Sequence, residues 1–361
     1  MTEAELPAAG TSLSWDVGTA YEFFVSLYVL HEPEYYDLRP SWAAKIRSRI
    51  PTTERAFLEE ALSFIDFPLG WLYKLPQTKN ALTVLYALQQ IPPAKRGRVL
   101  FDLDAGIRRE ADCLLEIADK RSWDKNDLAI LNPIMCNYGH GNNEQSLIKF
   151  LNWWVRPDDF GEILLSALQA YHQAFFEQEE KRVRPVLELG LEHAKQLAGQ
   201  LSIPELIAQL SQGVRYTEEF GKNLILVPTY WMTPLVHLGI INNDQKMFMF
   251  GARPATMSAI PGELVPDGLL ISLKALADPT RLKILCYLNQ EELTPSELSR
   301  RLNLRAPTVT HHLKELRLAG LVNLTIHGQE KLYRARLEAL DAMQGDLKEF
   351  LKTSAVKNEG G

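Results

Sequence analysis

The stretch TPSELSRRLNLRAPTVTHHLKELRLAG, residues 294–320, decides the fold of this part of the chain. Thr294 and Glu297 form a capping box, in which the threonine caps a helix and the glutamate reaches back to the N–H of the cap. A second helix begins near Ala306 and ends at Gly320, because a glycine takes the left-handed conformation that closes a helix. The stretch predicts two short helices joined by a tight connection.

The residues before this stretch predict a third helix. Asp278 followed by Pro279 is an N-cap with proline at the first helical position, where its missing N–H costs nothing. The run RLKILCYLNQ follows directly. Three consecutive short helices with separate caps are therefore expected.

Helical phase separates two faces of the last of these helices. At roughly 100° per residue, Val309, Leu313 and Leu316 fall in one sector, which we predict to be buried. His311 points almost directly away from this sector, whereas His312 lies closer to the protein. We predict a contact in a DNA groove for His311, and a phosphate contact or a packing role for His312.

The segment LVNLTIHGQEKLYRARL, residues 321–337, alternates around His327 and Gly328. This pattern predicts two antiparallel strands joined by a tight turn, the wing of a winged helix. Residues 300–336 hold eight Lys or Arg against two acidic residues, a local charge of +6 in a chain whose net charge is −6. Positive charge concentrated on one small surface favours the phosphate backbone of DNA.

Twelve residues are predicted to contact DNA. They lie on the last helix, at its N-terminal end and on the wing, where hydroxyls and imidazoles can reach base edges and cations can reach phosphates. They are Arg305, Ala306, Thr308, Thr310, His311, His312, Lys314, Arg317, His327, Gln329, Lys331 and Arg334.

The runs LKALADPTRLKILCYL, ELSRRLNL and PTVTHHLKELRLAGLV, with the hairpin after them, resemble in order and spacing the winged helix-turn-helix of ArsR-type transcriptional regulators. The resemblance spans residues 270–337, about a fifth of the chain. It implies a homodimer that binds a pseudo-palindromic operator in double-stranded DNA and is usually released by an inducing signal. It also implies that flanking helices, residues 268–277 and 338–352, build the dimer.

Two departures from the family pattern bear on function. Arg305 stands where the family often has a serine cap, which gives up a bond of about 1 kcal/mol but adds a cation at the groove. Metal-sensing members carry a cysteine pair in the helix corresponding to residues 297–304, or His and Asp ligands in the last helix. In this sequence, residues 297–304 contain no cysteine and residues 338–352 contain no histidine. Because soft metals need thiolate or imidazole ligands, we expect no metal sensing at these positions.

Residues 11–255 form a larger region with a mainly helical pattern. Some ArsR-type regulators resemble this layout, with a long region before the winged helix, and the resemblance implies a sensor or assembly domain. Apolar residues at three-and-four spacing predict roughly seven to ten helices. Between about 214 and 252 the runs LILVPTY, LVHLGII and KMFMFGA are strand-like, and a turn at residues 242–244 joins the last two. We expect a mainly α protein: a multi-helical N-terminal domain closed by a small antiparallel β-sheet, a linker at 256–267, and a winged helix-turn-helix at 268–352.

Cysteine usage and the first residues favour a cytoplasmic protein. Cys113, Cys136 and Cys286 are too few and too scattered for a disulfide framework or a zinc motif, and we expect Cys286 in the core. The acidic start MTEAELPAAG lacks the basic residues and the apolar run of a signal peptide. Residues 223–243 carry no charge, but their prolines, threonines and β-branched residues predict buried strands and not a membrane span.

The N-terminal region lacks the motifs of common enzyme classes and cofactors. GxGxxG, GxxxxGK[ST], HExxH, GxSxG and CxxC are all absent. We therefore expect no enzyme, no cofactor and no metal site. Asp102 and Asp104 could bind a hard cation, but two carboxylates just before a predicted helix favour capping.

A ligand site in this region has only weak candidates. His140 lies between two glycines in a predicted loop, where a turn is the stronger interpretation. Trp153, Trp154 and Trp231 could line an apolar pocket, although aromatic residues in helices and strands more often pack in a core.

Three functions remain open. The first is a DNA-binding transcriptional regulator whose N-terminal domain senses a small molecule or a partner. The second keeps DNA binding and makes the N-terminal domain a dimerisation scaffold. The third is an enzyme domain tethered to a DNA-binding module, against which the missing catalytic motifs count.

Overall fold

The computed structural model describes residues 11–64, 67–103, 108–136, 143–217, 220–328 and 330–357. These residues group into two compact units. The N-terminal unit holds residues 11–188, Phe220–Thr229 and His237–Met249, and the C-terminal unit holds residues 189–217, Tyr230–Val236 and 250–357. The sequence predicts domain boundaries at residues 255 and 268. That these boundaries separate independently folding domains stays a prediction.

Helices dominate the chain up to residue 210. Twelve α-helices lie among the described residues there, more than the predicted seven to ten, because several runs are broken by proline into helices of six to eight residues. They are α1 Thr19–His31, α2 Pro40–Arg47, α3 Thr52–Ala61, α4 Leu69–Lys74, α5 Ala81–Gln90, α6 Pro93–Leu100, α7 Ala111–Lys120, α8 Lys125–Met135, α9 Glu144–Trp154, α10 Pro157–Tyr171, α11 Glu177–Ala198 and α12 Ile203–Leu210.

The core of the N-terminal unit is built around α1, which is buried along almost its entire length. Phe23 lies at the centre of an aromatic group, with ring centroids 5.3 Å from Tyr171 and 5.1 Å from Phe176. Elsewhere in the same unit, the buried Lys79 ammonium pairs with the Asp16 carboxylate and lies over the ring of Tyr73. Burial stabilises this group of aromatic rings, because each large side chain removes much apolar surface from water.

A four-stranded sheet joins distant parts of the chain, in the order β1 Ser12–Trp15, β3 Asn223–Thr229, β5 Gln245–Gly251 and β4 His237–Asn242. The β4–β5 hairpin is antiparallel and turns where it was predicted. β1 and β3, however, are parallel, with Ser12 opposite Asn223. The sheet is therefore mixed, and the expected purely antiparallel sheet is corrected: a parallel partner comes from the start of the chain, which local patterns cannot reveal.

The uncharged segment forms one buried strand, β3, as expected, but its second strand, β4, is mostly half-buried or exposed, which corrects the expected burial there. Every residue of β3 after Asn223 is buried. No helix among the described residues is long and apolar enough to cross a membrane.

The winged helix in the C-terminal unit follows the predicted order. It consists of α13 Asp267–Leu276, α14 Pro279–Gln290, α15 Pro295–Leu302, α16 Ala306–Leu318, β6 Val322–His327, β7 Glu330–Ala335 and α17 Glu338–Lys357. The Asp278 side chain accepts from the N–H of Arg281 at 2.9 Å. In the capping box, the N–H of Thr294 donates to Glu297 at 2.8 Å and the threonine hydroxyl accepts from the N–H of Glu297 at 3.2 Å. Local chemistry thus sets these helix starts.

The wing has a third strand that the sequence did not predict. β2 Val214–Tyr216 pairs in parallel with β6, and the sheet order is β2, β6, β7. The N–H of Leu324 donates to Gly213 O at 2.9 Å and the N–H of Thr217 donates to Ile326 O at 3.1 Å. Residues 214–216 were expected at the start of the N-terminal sheet, and that placement is wrong because their backbone groups pair with the wing.

Candidate nucleic-acid interface

Helix α16 is anchored by the apolar stripe that helical phase predicted. Val309, Leu313 and Leu316 are fully buried, together with Ile284 and Leu298 of the neighbouring helices, in one hydrophobic cluster. Burying such a side chain contributes roughly 1.5–3 kcal/mol. The stripe therefore fixes which residues of α16 face solvent.

Five of the twelve predicted DNA contacts lie on the solvent side of α16 or directly before it. Arg305, Ala306, Thr308, Thr310 and His311 are all exposed. The Thr310 hydroxyl donates to Ala306 O at 3.0 Å, one turn back in its own helix, so a contact with a base must share or replace this bond. The side chain of Arg305 makes no capping bond and extends into solvent beside the first turn.

His312 lies nearer the protein than His311, as the phase indicated. Its ring centroid is 6.0 Å from that of His311. Burial lowers the pKa of His312, and the nearby Asp278 opposes this by favouring the charged ring. Among the described residues its buried Nδ1 has no hydrogen-bond partner. His312 is thus a half-buried, mainly neutral ring at the edge of the exposed face. Lys314, on the flank, is also half-buried.

Arg317 is not at the surface, which corrects the expectation that it contacts DNA. Its side chain is 8% exposed and its Nη2 donates to the carbonyl oxygen of Ser211. Burial lowers its pKa to about 10, although Tyr216 favours the charged form. In the described part of the chain its Nη1 has no hydrogen-bond partner. The guanidinium therefore makes a contact inside the C-terminal unit and is not presented to solvent.

Wing residues present two further cations to solvent. Lys331 and Arg334 of β7 are exposed, opposite Ile326 and Asn323 of β6. Their spacing places them on opposite faces of the strand, so each needs a separate test. His327 is exposed near the tip, with its Nδ1 2.8 Å from the hydroxyl of Thr217. Gln329, the remaining predicted contact, lies outside the described residues.

Sequence reasoning missed the residues that join the α12–β2 segment to the winged helix. Ser211, Tyr216 and Thr217 contact Arg317 or the wing, yet they lie about a hundred residues earlier in the chain. A three-residue strand shows no periodicity. The only available signal was the unusual arginine at the edge of the buried stripe of α16.

The weak ligand candidates of the N-terminal unit make contacts within the chain, and a ligand role for them stays a prediction. The buried Trp154 donates from Nε1 to Leu114 O at 2.8 Å and packs on Phe150, 5.6 Å between ring centroids. Trp153 is half-buried and donates to Glu60 at 2.9 Å. Asp102 accepts from the N–H of Gly70 at 3.1 Å, in the first turn of α4. His140 and Asp104 lie outside the described residues.

Trp231, in the C-terminal unit, is almost fully buried. Its ring lies 5.6 Å from that of Tyr230, whose hydroxyl donates to Ser258 O at 2.9 Å. These contacts are those of a packed core. A ligand role for Trp231 remains only a prediction.

The described ranges contain three free thiols, those of Cys113, Cys136 and Cys286. Those ranges hold no group of three or more His, Cys, Asp or Glu side chains placed to bind a metal ion. Cys286 is exposed, which corrects its expected burial. It follows the buried Ile284 by two positions, and two helical positions, roughly 200°, place it on the opposite face of α14.

Comparisons with known proteins agree with this geometry. The family model described as "Bacterial regulatory protein, arsR family" matches residues 278–323. The transcriptional activator HlyU of Vibrio cholerae is 40% identical over 74 residues, which are 20% of this chain and 68% of the activator. The arsenical resistance operon repressor of Staphylococcus xylosus is 35% identical over 82 residues, 23% of this chain and 78% of the repressor. The chain belongs to the ArsR family.

The membership rests on the C-terminal part of the chain. Among solved structures, HlyU from Vibrio cholerae N16961 is 37% identical, with coverage of 22% of this chain and 86% of that chain and a TM-score of 0.20. This ArsR-family domain is a winged helix-turn-helix DNA-binding domain of a transcription regulator. Its helix α16 occupies the position of the recognition helix.

Proposed function

We propose that this protein is a cytoplasmic transcriptional regulator that binds a pseudo-palindromic operator as a homodimer and is controlled by a small molecule or a partner, not by a metal. One observation carries the proposal most directly. The exposed face of α16, with Thr308 and His311, lies opposite a stripe whose full burial fixes its orientation. A helix held in this way can present hydrogen-bonding side chains to base edges in a major groove.

The two sets of contacts have different roles. Residues on the exposed face of α16 supply sequence discrimination, because only base edges carry sequence information. Lys331 and Arg334 of the wing, with Arg305, supply attraction to phosphates that does not depend on sequence. His312 lies near Asp278, the N-cap of α14, and we infer a packing role for it between α14 and α16.

Dimerisation is supported by exposed apolar side chains on the flanking helices. Leu270 and Leu273 of α13 and Leu351 of α17 are exposed to solvent in the single chain. Single exposed leucines are common, but several on two helices that flank one module favour an interface. An isologous contact between two copies would place two recognition helices on neighbouring half-sites of one operator.

Control by the residues that precede the winged helix is supported by the α12–β2 segment. This segment adds a strand to the wing and bonds to Arg317 of the recognition helix. Any event that shifts the segment would therefore change two DNA-contacting elements at once. The relatives include an activator and a repressor.

The proposal is tested with the full-length protein and the DNA that flanks its coding region. Fluorescence anisotropy is expected to show tighter binding to one segment of that DNA than to random DNA of equal length, by about a thousandfold or more. Light scattering is expected to give the mass of a dimer at micromolar concentration. Equal affinity for all DNA would refute operator recognition, and a monomer on and off DNA would refute the homodimer.

A further inference from the structure

A cavity of about 250 Å³ lies inside the C-terminal unit, beside the last turn of the recognition helix. Its wall contains Leu318 and Gly320 at the end of α16, Ile271 of α13 and Ala342 of α17. Residues 253–257, which precede the winged helix, line another side. The cavity, which is partly open to solvent, is therefore lined by the elements that hold the recognition helix and by chain segments that the matched family region does not include.

The polar groups of the cavity centre on Gly320. A Cβ placed on this glycine would lie 3.0 Å from Gln212 Oε1 and 3.8 Å from Arg336 Nη1. Gly320 has a φ of +66°, so the helix end takes the left-handed conformation and leaves a gap between these two side chains. An amide and a guanidinium thus face the same space from two different segments.

Arg336 is the cation of the cavity that a ligand can engage. Its Nε donates to the exposed Glu338 at 3.2 Å, the one side-chain bond of Arg336 among the described residues. Arg253, by contrast, is almost fully buried and already engaged: its Nη2 donates to Thr233 O at 3.1 Å and lies 3.4 Å from Asp267. The planar fork of Arg336 matches a carboxylate, with which it can form two parallel hydrogen bonds.

Apolar side chains make up much of the remaining wall, beside the hydroxyl-bearing Thr233 and Ser272, and they limit the size of the ligand. Met257, Ile271, Leu318, Ala342 and Met343 present hydrocarbon or thioether groups. Methionine side chains adapt to ligands of different shape. A cavity of roughly 150 Å³ is sufficient for benzene, so this cavity fits a body of one ring or a short chain together with a charged group. Asp346 at the exposed rim disfavours a second carboxylate on the ligand.

We infer that this cavity is the effector site, and that it binds a small monocarboxylic acid whose apolar body contacts the α13–α17 wall and whose carboxylate pairs with Arg336. The inference deepens the proposed function, on which its regulatory part rests. Occupation would fix the end of α16 relative to α17 and to the segment at 253–257. Because these elements position the recognition helix, the acid would change the affinity for DNA.

Ligand binding is tested without DNA, on the full-length protein. The probes are benzoate, phenylacetate and hexanoate, each paired with its neutral amide, and binding is measured by ligand-observed NMR and by titration calorimetry. At least one acid is expected to bind in the millimolar range or tighter, and more tightly than its amide. Arg336→Gln is expected to weaken that acid about tenfold or more and to leave the amide unchanged, whereas Lys348→Gln on the exposed side of α17 changes neither.

A second pair of variants tests the location. Ala342→Trp fills the cavity from its rim and is expected to abolish binding of acid and amide, while Gln344→Trp adds the same bulk to α17 outside the cavity and preserves both. Unchanged thermal melting shows that the variants fold. Absence of binding by all three acids, or equal binding in Ala342→Trp, would overturn the inferred site.

DNA binding is measured separately, so the two proposals fail independently. If the acid binds and Ala342→Trp abolishes its binding, but the protein does not select an operator, the cavity assignment stands and the proposed function is refuted. If the operator is bound and saturating acid leaves its affinity within about twofold, the regulatory part of the inference is refuted.

Discussion

Arg317 of the recognition helix donates a hydrogen bond to the carbonyl oxygen of Ser211, in the segment between α12 and β2. A guanidinium that is only 8% exposed and bonds a carbonyl of its own chain is not positioned to reach a phosphate of DNA. The same contact ties the recognition helix to a strand of the wing sheet through the chain between Ser211 and Val214. Arg317 is therefore a structural cation, in contrast to Lys331 and Arg334 of the wing, which are exposed.

Replacing Arg317 separates these roles. Arg317→Met keeps most of the side-chain volume without the charge, so the slope of log affinity for DNA against log salt concentration should not change. Arg317→Ala should lower the free energy of unfolding by roughly 2–4 kcal/mol, because it leaves a cavity and removes the bond to Ser211. Salt titrations by anisotropy and urea denaturation check the two effects. A slope reduced by about one unit in Arg317→Met would show a phosphate contact.

The third strand of the wing can be tested at one backbone bond. Thr217→Pro removes the N–H that donates to Ile326 O, whereas Thr217→Val keeps it and removes only the hydroxyl. We expect hydrogen exchange of the Leu324 amide, which donates to Gly213 O, to accelerate about tenfold in the proline variant and less in the valine variant. Unchanged exchange at Leu324 in both variants would contradict the pairing of β2 with β6.

Features set by local chemistry could be predicted from the sequence. The Thr294 capping box and the stripe of Val309, Leu313 and Leu316 depend on residues within one or two turns, and the structure confirms them. The β4–β5 hairpin was predicted for the same reason.

Features that depend on distant partners could not be predicted. Arg317 lies one turn after Leu313, at the edge of the buried stripe, and its charge suggested the surface. It is buried only because the α12–β2 segment covers it. β1 likewise pairs with a strand more than two hundred residues later. Neither partner leaves a pattern in the sequence around these residues.

His31 of the N-terminal unit predicts a dependence of stability on pH. Burial lowers the pKa of His31 to about 4. The hydrogen bond between Nδ1 and Leu27 O raises this pKa, whereas the nearby cation Arg47 lowers it further. The unfolded chain therefore takes up this proton first, near pH 6.5, and stability falls as the pH drops from about 6.5 to about 4.

The contribution of His31 is isolated by His31→Gln, which does not titrate. The loss in melting temperature of the full-length protein between about pH 7.5 and pH 5 should be smaller in this variant than in the wild type. His193→Gln, at an exposed histidine of α11, serves as the control and should retain the wild-type loss. Equal losses in wild type and His31→Gln would contradict the lowered pKa.

The division of labour between helix and wing predicts two distinct patterns of DNA binding. His311→Ala or Thr308→Ala should weaken binding to the operator by about 1–3 kcal/mol and random DNA far less, because contacts with base edges carry the discrimination. Lys331→Gln should weaken binding to operator and to random DNA by a similar factor and reduce the salt slope by about one unit, because it removes one phosphate contact.

Anisotropy with both DNAs at several salt concentrations measures affinity and slope together, and Lys348→Gln on α17 controls for lost charge. Equal losses on operator and random DNA in His311→Ala and Thr308→Ala would exclude base contacts by these residues, and an unchanged slope in Lys331→Gln would exclude a phosphate contact by the wing lysine.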